Sequence, residues 1–508
     1  MIGLWGNDIY WRQLLIQEGV PFRTGAAGNL TGLKVLVLDR PVDKTAAGLV
    51  RKWIEEGGTF LAGAGCAATV VPELVGPRRR LDHILPEASP LFRNIGLIDL
   101  RTRGWLLAGR PFPLIHRMGA GHCLILPFEP SSVLSRHTCA PKRFYAENGR
   151  FPYEVVSAVS RGEVRRLVVN SLRLLLATQG VPYIHLSYVP ALNRGIFGFR
   201  IDTDFGPYAQ LEATAKIVKN AGLRASWFIN TGAHGQFLSF LKPLLDGQDV
   251  QLHCHKHVVY KEYQRNLTNF VKGREVMIAA GYQLRGVAAP FGEWNRALDT
   301  VFDQLGFLFS SEFCYGYDDL PSRPVTDRGL SRVLQVPVHP ICVGRLLRAG
   351  ADENQIFEYF QDVIELQLAR LEPCFLYDHP HRIAQFPELF ERLFRYGIER
   401  CGGQTTMTEF ARWWQLREQV KYAAQAASNL VEITVETPAP DTFITIELEG
   451  RFAQMPLQTS RLDLKGVTWR PLPEPVLFGE GLRKLRKATW RLIGHEMIRS
   501  LQKKLQPK

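Results

Sequence analysis

Seven short apolar runs separated by helix-like amphipathic segments recur between residues 195 and 380, and this alternation restricts the possible folds more than any other feature. The runs are GIFGFRIDTDF (195–205), ASWFINT (225–231), DVQLHCH (249–255), LRGVAAPFG (284–292), FLFSSEFCY (307–315), RVLQVPV (332–338) and CFLYDHP (374–380). Between them lie helical patterns such as YAQLEATAKIVKNAG (208–222), REVMIAAG (274–281) and NQIFEYFQDVIELQLARL (354–371). A strand and its helical return, repeated this often, build a parallel sheet, and seven repeats suit a (β/α) barrel better than an open doubly wound sheet.

The 508 residues are too many for one core, at roughly 150 residues per domain. Upstream, LKVLVLD (33–39), TFLAGAG (59–65) and HCLILPF (122–128) read as strands, with DKTAAGLVRKWIEEGG (43–58) a helix ending in paired glycines. This pattern resembles the flavodoxin-like parallel α/β domain of class I glutamine amidotransferases and their non-catalytic relatives. Cys66 follows the second strand, where such domains carry a nucleophile; however, GAGCAA lacks the glycine after it and no partner histidine is identifiable, so a structural cysteine is expected. Residues 152–179 read as a connecting helix. Beyond the aromatic helix EFARWWQLREQ (409–419), NLVEITVETPAPDTFITIELEG (429–450) and RLDLKGVTWRPL (461–472) alternate with period two, which predicts a small antiparallel β unit of about four strands that covers the barrel or binds carbohydrate. The expected division is an α/β domain with its connecting helix over 1–190, a barrel over 191–425, a β unit over 426–475 and a basic helix over 476–508.

A hydrophobic fraction of 46% and a charged fraction of 22% exclude disordered, collagenous and disulfide-scaffold classes. The eight cysteines lie apart with no C-x-x-C, which predicts buried thiols in a reducing compartment. No run of about 18 uncharged apolar residues occurs, and Asp8 precedes any stretch of signal-peptide length, so a cytoplasmic protein is expected. Of the net charge of +13, most sits in 481–508, where nine Lys/Arg face the single acid Glu496. The body is only mildly basic, which speaks against nucleic acid. The tail has the spacing of a basic amphipathic helix, fitted either to an anionic membrane surface, peripheral to its inner face, or to packing on its own protein. Oligomeric state leaves no mark in the sequence.

The chemistry concentrates at predicted strand ends. Five of thirteen histidines fall in His253-Cys-His255-Lys-His257 and His379-Pro-His381, and the first barrel strand ends in Arg200-Ile-Asp202-Thr-Asp204. In parallel β/α architectures catalytic groups gather at that edge. Alternation along a strand would point Arg200, Asp202 and Asp204 to one face, where buried charge needs compensation. A metal ion supplies it: two imidazoles and a carboxylate leave a position open for water, as catalytic zinc requires, and the same set suits non-haem iron.

These residues resemble the polysaccharide deacetylases of the NodB-homology fold, carbohydrate esterase family four, over roughly 195–420. That family, a distorted (β/α) barrel, is marked by an Asp pair closing the first strand, H-x-x-x-H, an R-x-P-[YF]-G loop and a late histidine. Asp202 with Asp204, His253 with His257, Pro290-Phe291-Gly292, and His379 match these elements in order. The resemblance implies a metal-dependent hydrolase acting on an N-acetylated sugar or polysaccharide, or a related amide. It implies Asp204, His253 and His257 as ligands of a divalent cation, zinc first and iron, cobalt or nickel as alternatives. It implies Asp202 as general base, His379 as general acid toward the leaving amine, and a backbone N–H near Phe291 sharing the oxyanion with the metal.

Three departures qualify the match. The Asp pair is split as D-T-D. Ala288 stands where the family has its loop arginine, so Arg200, or else Arg285, is expected to pair with Asp202. His255 is an extra imidazole expected on the face of His253 and His257, as an alternative ligand or a substrate contact; His381 competes with His379, and His339 is a lesser candidate. Tyr315, Tyr317, Asp318 and Asp319, leading into DLPSRP (319–324), predict a sugar-binding loop over the barrel mouth. The lost arginine motivates one alternative, a catalytically lapsed glycan-binding barrel, and the tail another, a membrane-surface scaffold.

Overall fold

The barrel runs pair as anticipated, though over shorter lengths. In the computed structural model, which describes residues 1–476 except 148, 191, 193, 428 and 429, together with 482–485, they form strands β1 (Phe197–Asp202), β2 (Ser226–Asn230), β3 (Asp249–Cys254), β4 (Gly286–Val287), β5 (Phe309–Ser310), β6 (Leu334–Gln335) and β7 (Cys374–Asp378). Their order across the sheet is β6-β5-β4-β3-β2-β1-β7, and every neighbouring pair is parallel. The sheet is a curled half-barrel with β6 and β7 at its edges. The segment after β6 crosses the gap, with the His339 N–H donating to the Phe375 carbonyl of β7 at 2.8 Å.

On β1, Phe199 faces outward against Phe390 and Phe394 of the helix Pro387–Cys401. Arg200 and Asp202 point to the other side, which is the interior. An all-buried strand therefore carries apolar residues toward its helices and a charged pair toward the barrel axis.

Upstream, Phe22–Arg23, Ile2–Leu4, Val35–Leu38, Thr59–Gly63 and Gly121–Leu126 form a parallel sheet in that order, with Leu114–Met118 added antiparallel at the edge. The helix expected at 43–58 spans Lys44–Glu55. The expected connecting helix needs correction: Tyr153–Ser157 is a strand paired with Cys139–Arg143, as its β-branched and aromatic content favours, and the helix is Arg161–Ala177. The C-terminal β unit is two sheets. Lys421–Ala427, Leu430–Thr437 and Ser460–Asp463 make one. Phe443–Leu448, Arg451–Pro456 and Arg470–Pro471 make the other and recruit Tyr183–Leu186 from the segment preceding the barrel. Of the basic tail, only the turn 482–485 lies within the described residues, so the amphipathic helix and its membrane contact lie outside them. Among the described residues no helix is long and apolar enough to cross a membrane.

The loop 315–324 is not a lid over the barrel mouth. Tyr315 and Tyr317 are buried, Arg161 stacks over Tyr315, and the Tyr317 hydroxyl meets Ser160 Oγ at 3.1 Å. Asp318 accepts from the Glu163 N–H, and Asp319 pairs with Arg165 at 2.7 Å. Its polar groups are buried against Ser160 and the helix Arg161–Ala177, with one Asp318 oxygen left without a hydrogen-bond partner, and none of them lines the cavity described below. All eight cysteines are free, and all but Cys139 are buried.

Candidate metal centre

Asp204 lies past the end of β1, in a turn, with φ of +43°. The three charges therefore do not project together from one strand: Arg200 and Asp202 share the strand face, and the turn delivers Asp204 separately. That turn is pinned from β2 and the short helix after it. The Asn230 side chain donates to the Asp204 carbonyl at 2.8 Å, and the Asn230 N–H donates to Thr203 Oγ1 at 3.0 Å. His234 Nε2 donates to the Gly206 carbonyl at 2.7 Å, leaving Nδ1 to accept from Thr203 Oγ1.

His253 stands on β3. Its Nδ1 lies 2.6 Å from the Ala288 carbonyl, which can only accept, so the ring proton sits on Nδ1 and Nε2 carries a lone pair. His257 arrives on the following loop, which buried Asn269 staples by accepting from the N–H groups of His255 and Lys256 and donating to the carbonyls of Lys256 and Val258. His253 Nε2 is 3.3 Å and His257 Nε2 2.9 Å from Asp204 Oδ1. The ligand atoms of all three residues fall within 4.8 Å of one another. His379 Nε2 lies 3.5 Å from Asp204 Oδ2.

The His253 Nε2 atom tests whether a cation fits. It is buried without a hydrogen-bond partner, and its lone pair faces a carboxylate oxygen. Two electron-rich atoms 3.3 Å apart repel unless a positive charge lies between them. The hydrogen bond at Nδ1 is the support that orients a metal-binding imidazole. The donor set fits a divalent cation.

Asp202 is gripped by both arms of Arg200, Nε to Oδ1 at 2.7 Å and Nη2 to Oδ2 at 2.6 Å, with both side chains almost wholly buried. Of the two arginines expected to pair with Asp202, Arg200 is the one that does so. Arg285 does not: it contributes backbone bonds to Gln251 and Leu308. Arg200 is itself steadied by the Ser311 carbonyl and hydroxyl.

The turn Pro290–Gly292 follows β4 and packs Phe291, at φ +59°, edge-on against His257 with ring centroids 4.8 Å apart. Glu312 holds the turn by accepting from the Ala289 N–H at 3.0 Å. Together these groups line a cavity of about 610 Å3, a volume suited to a sugar-sized ligand.

The remaining sequence candidates separate. His255 lies beyond β3, and its Nδ1 is 3.1 Å from Thr231 Oγ1; it neither lines the cavity nor shares the face of its neighbours, because the chain leaves strand geometry at Cys254. His381 is exposed on the cavity wall, its ring 5.7 Å from that of His379. His339 is outside the cavity, bonded to the Tyr359 hydroxyl at 3.0 Å, and burial lowers its pKa to about 3. Cys66 donates to Glu129 and is held protonated first by burial and then by Glu129, which fits a structural thiol.

Two neighbours of His379 escaped the sequence reading. Asp378 Oδ1 lies 3.4 Å from His379 Nδ1, its Oδ2 accepts from the Val343 N–H at 2.7 Å, and Cys342 completes the cluster. The signal for Asp378 was its place directly before His379; Cys342 is remote in sequence and gave none.

No family model matches the sequence, and no curated protein does. Solved structures similar to this chain include polysaccharide deacetylases and other members of carbohydrate esterase family four, and also a 4-alpha-glucanotransferase from Thermococcus litoralis that is 13% identical, with 44% of this chain and 40% of that chain covered and a TM-score of 0.32. A family 4 carbohydrate esterase from Streptomyces lividans in complex with acetate is 15% identical, with 41% of this chain and 90% of that chain covered and a TM-score of 0.29. A peptidoglycan deacetylase from Bacillus subtilis is 12% identical, with 44% and 93% covered and a TM-score of 0.30. A family pseudoenzyme from Bacillus anthracis is 15% identical, with 54% and 90% covered and a TM-score of 0.31.

Proposed function

We propose that the chain is a metal-dependent deacetylase that hydrolyses the amide of an N-acetylated sugar or polysaccharide. The observation that carries this reading is the convergence of Asp204, His253 and His257, with the His253 lone pair facing a carboxylate, beside a carboxylate held by arginine. Asp204, His253 and His257 would hold the cation, zinc being the first expectation. When bound, it would polarise the amide carbonyl and acidify water.

The chain's own residues supply the proton transfers. Asp202 is the base: Arg200 occupies one lone pair on each oxygen and fixes the carboxylate plane, leaving the others to accept a proton from water. His379 is the acid. Asp378 orients its Nδ1 and leaves Nε2 toward the cavity, where the departing nitrogen needs a proton, since an amine anion is a very poor leaving group. The Pro290–Gly292 turn would present the Phe291 N–H to the oxyanion. The missing loop arginine motivates the alternative of a catalytically lapsed glycan-binding barrel, and the Arg200–Asp202 pair favours the active reading over it.

The test is acetate release from N-acetylated glycans by the metal-loaded protein. Turnover that falls in His379→Ala and Asp202→Asn supports the assignment. A metal-loaded protein that releases acetate from none of them contradicts it.

A further inference from the structure

The wall of the cavity opposite in chemistry to the metal centre is built of arginine. Arg345 and Arg348 lie three residues apart on the helix Val343–Ala349, and Arg382 lies on the helix Pro380–Gln385; all three line the same cavity as Asp204 and His379. Arg345 is taken up by a two-pronged pair with buried Glu154 at 2.6 and 2.7 Å. Arg348 is exposed, and no ion pair of Arg348 or Arg382 occurs among the described residues. Arg382 donates from Nη1 to Gln385 at 2.7 Å, while its Nε is buried with no partner. Gly344 borders this guanidinium: a Cβ there would lie 3.6 Å from Arg382 Nε, so the absent side chain leaves the approach open.

The other charges of the cavity are answered. Asp202 is held by Arg200, Glu154 by Arg345, and Asp204 by imidazoles and a fitting cation. Arg348 and Arg382 remain, two guanidinium groups on one wall without a counter-charge. The buried Arg382 Nε is costly without an acceptor unless a ligand supplies one, and exposed Arg348 lines the same cavity with a second planar fork suited to an oxyanion.

We propose that the substrate carries an anionic group, a carboxylate or phosphate, on or next to the N-acylated sugar, and that Arg348 and Arg382 bind it. The inference rests on the deacetylase reading for its substrate class; the anion site itself can be tested without turnover.

The experiment compares N-acetylglucosamine, N-acetylglucosamine 6-phosphate and N-acetylmuramic acid on the metal-loaded full chain, by acetate release and by calorimetric titration. The expected result is a kcat/KM at least about tenfold higher for an anionic probe than for the neutral sugar, as a charged hydrogen bond would give. That ratio should fall toward one in Arg348→Ala/Arg382→Ala and be partly kept in Arg348→Lys/Arg382→Lys. Preference for the phosphate alone or the carboxylate alone identifies the source. Equal turnover of all three by the parent overturns the inference and leaves the deacetylase reading standing. Anionic probes that bind, lose affinity in the double alanine variant and release no acetate support the anion site, and acetate release from no N-acetylated glycan either would sink the deacetylase reading while the anion site stands. Absence of anionic-probe binding to the parent also overturns the inference.

Discussion

Arg200 and Asp202 form one buried unit, and its two halves predict different outcomes. Asp202→Asn removes the proposed base while leaving the proposed metal ligands intact, so acetate release should fall by about 10²–10⁴ with metal content unchanged. Loss of bound metal in that variant would show that Asp202 is a ligand instead. Arg200→Met strips the partner from a buried carboxylate, which costs about 3–5 kcal/mol of stability by urea denaturation. An unchanged midpoint would mean that Asp202 finds solvent or another partner. At this scale the sequence was readable where a residue type carries its chemistry with it: Asp202, Asp204, His253, His257 and His379 all line one cavity. It was unreadable where the role depends on direction. His255 sits between two candidate ligands and turns toward Thr231, a consequence of where strand β3 stops.

At the scale of elements, the site depends on turns that leave short strands. Gly292 has φ of +58°, and a Cβ built there would meet the Phe313 ring at 2.4 Å. Gly292→Ala should therefore cost about 1–3 kcal/mol from overpacking, with additional strain from the left-handed backbone. It should also weaken catalysis more than an alanine at exposed Gly247, where nothing lies within 4 Å, although both positions share a positive φ. Equal effects would remove the Phe313 contact from the argument. Strand identity was legible from apolar runs, but strand length was not: β4, β5 and β6 keep two residues each, β4 giving way to the Pro290–Gly292 turn and β6 to the segment that crosses to β7. The 315–324 loop shows a second limit. Aromatic and acidic residues look alike whether they await a sugar or another helix, and here Ser160, Arg161, Glu163 and Arg165 are the partners.

Across the whole molecule, the α/β unit and the half-barrel are joined by buried charge. Arg165 reaches Glu18, Asp319 and Glu372, and Arg166 also grips Glu372. None of these pairings could be foreseen, since their partners lie some 150 to 200 residues apart. Burial pushes Glu372 up, but Arg166 and Arg165 outweigh it and bring its pKa to about 2 from an ordinary 4.5. A depressed carboxyl contributes stability that is fully present above 4.5 and is lost as pH falls through about 2. Glu372→Gln should therefore lose on the order of 3 kcal/mol at neutral pH, with the gap to the parent closing between those two values. A gap that widens on acidification would reverse the sign and discard the network as a source of stability.

The proposed centre is a single cation shared by three side chains, and the most direct measurement of it is the metal content of the purified protein and its variants. About one divalent cation per chain should remain in the parent and in Asp202→Asn, and should be lost in Asp204→Ala and His253→Ala. A parent that binds none when supplied with zinc, or variants that bind as well as the parent, would contradict it.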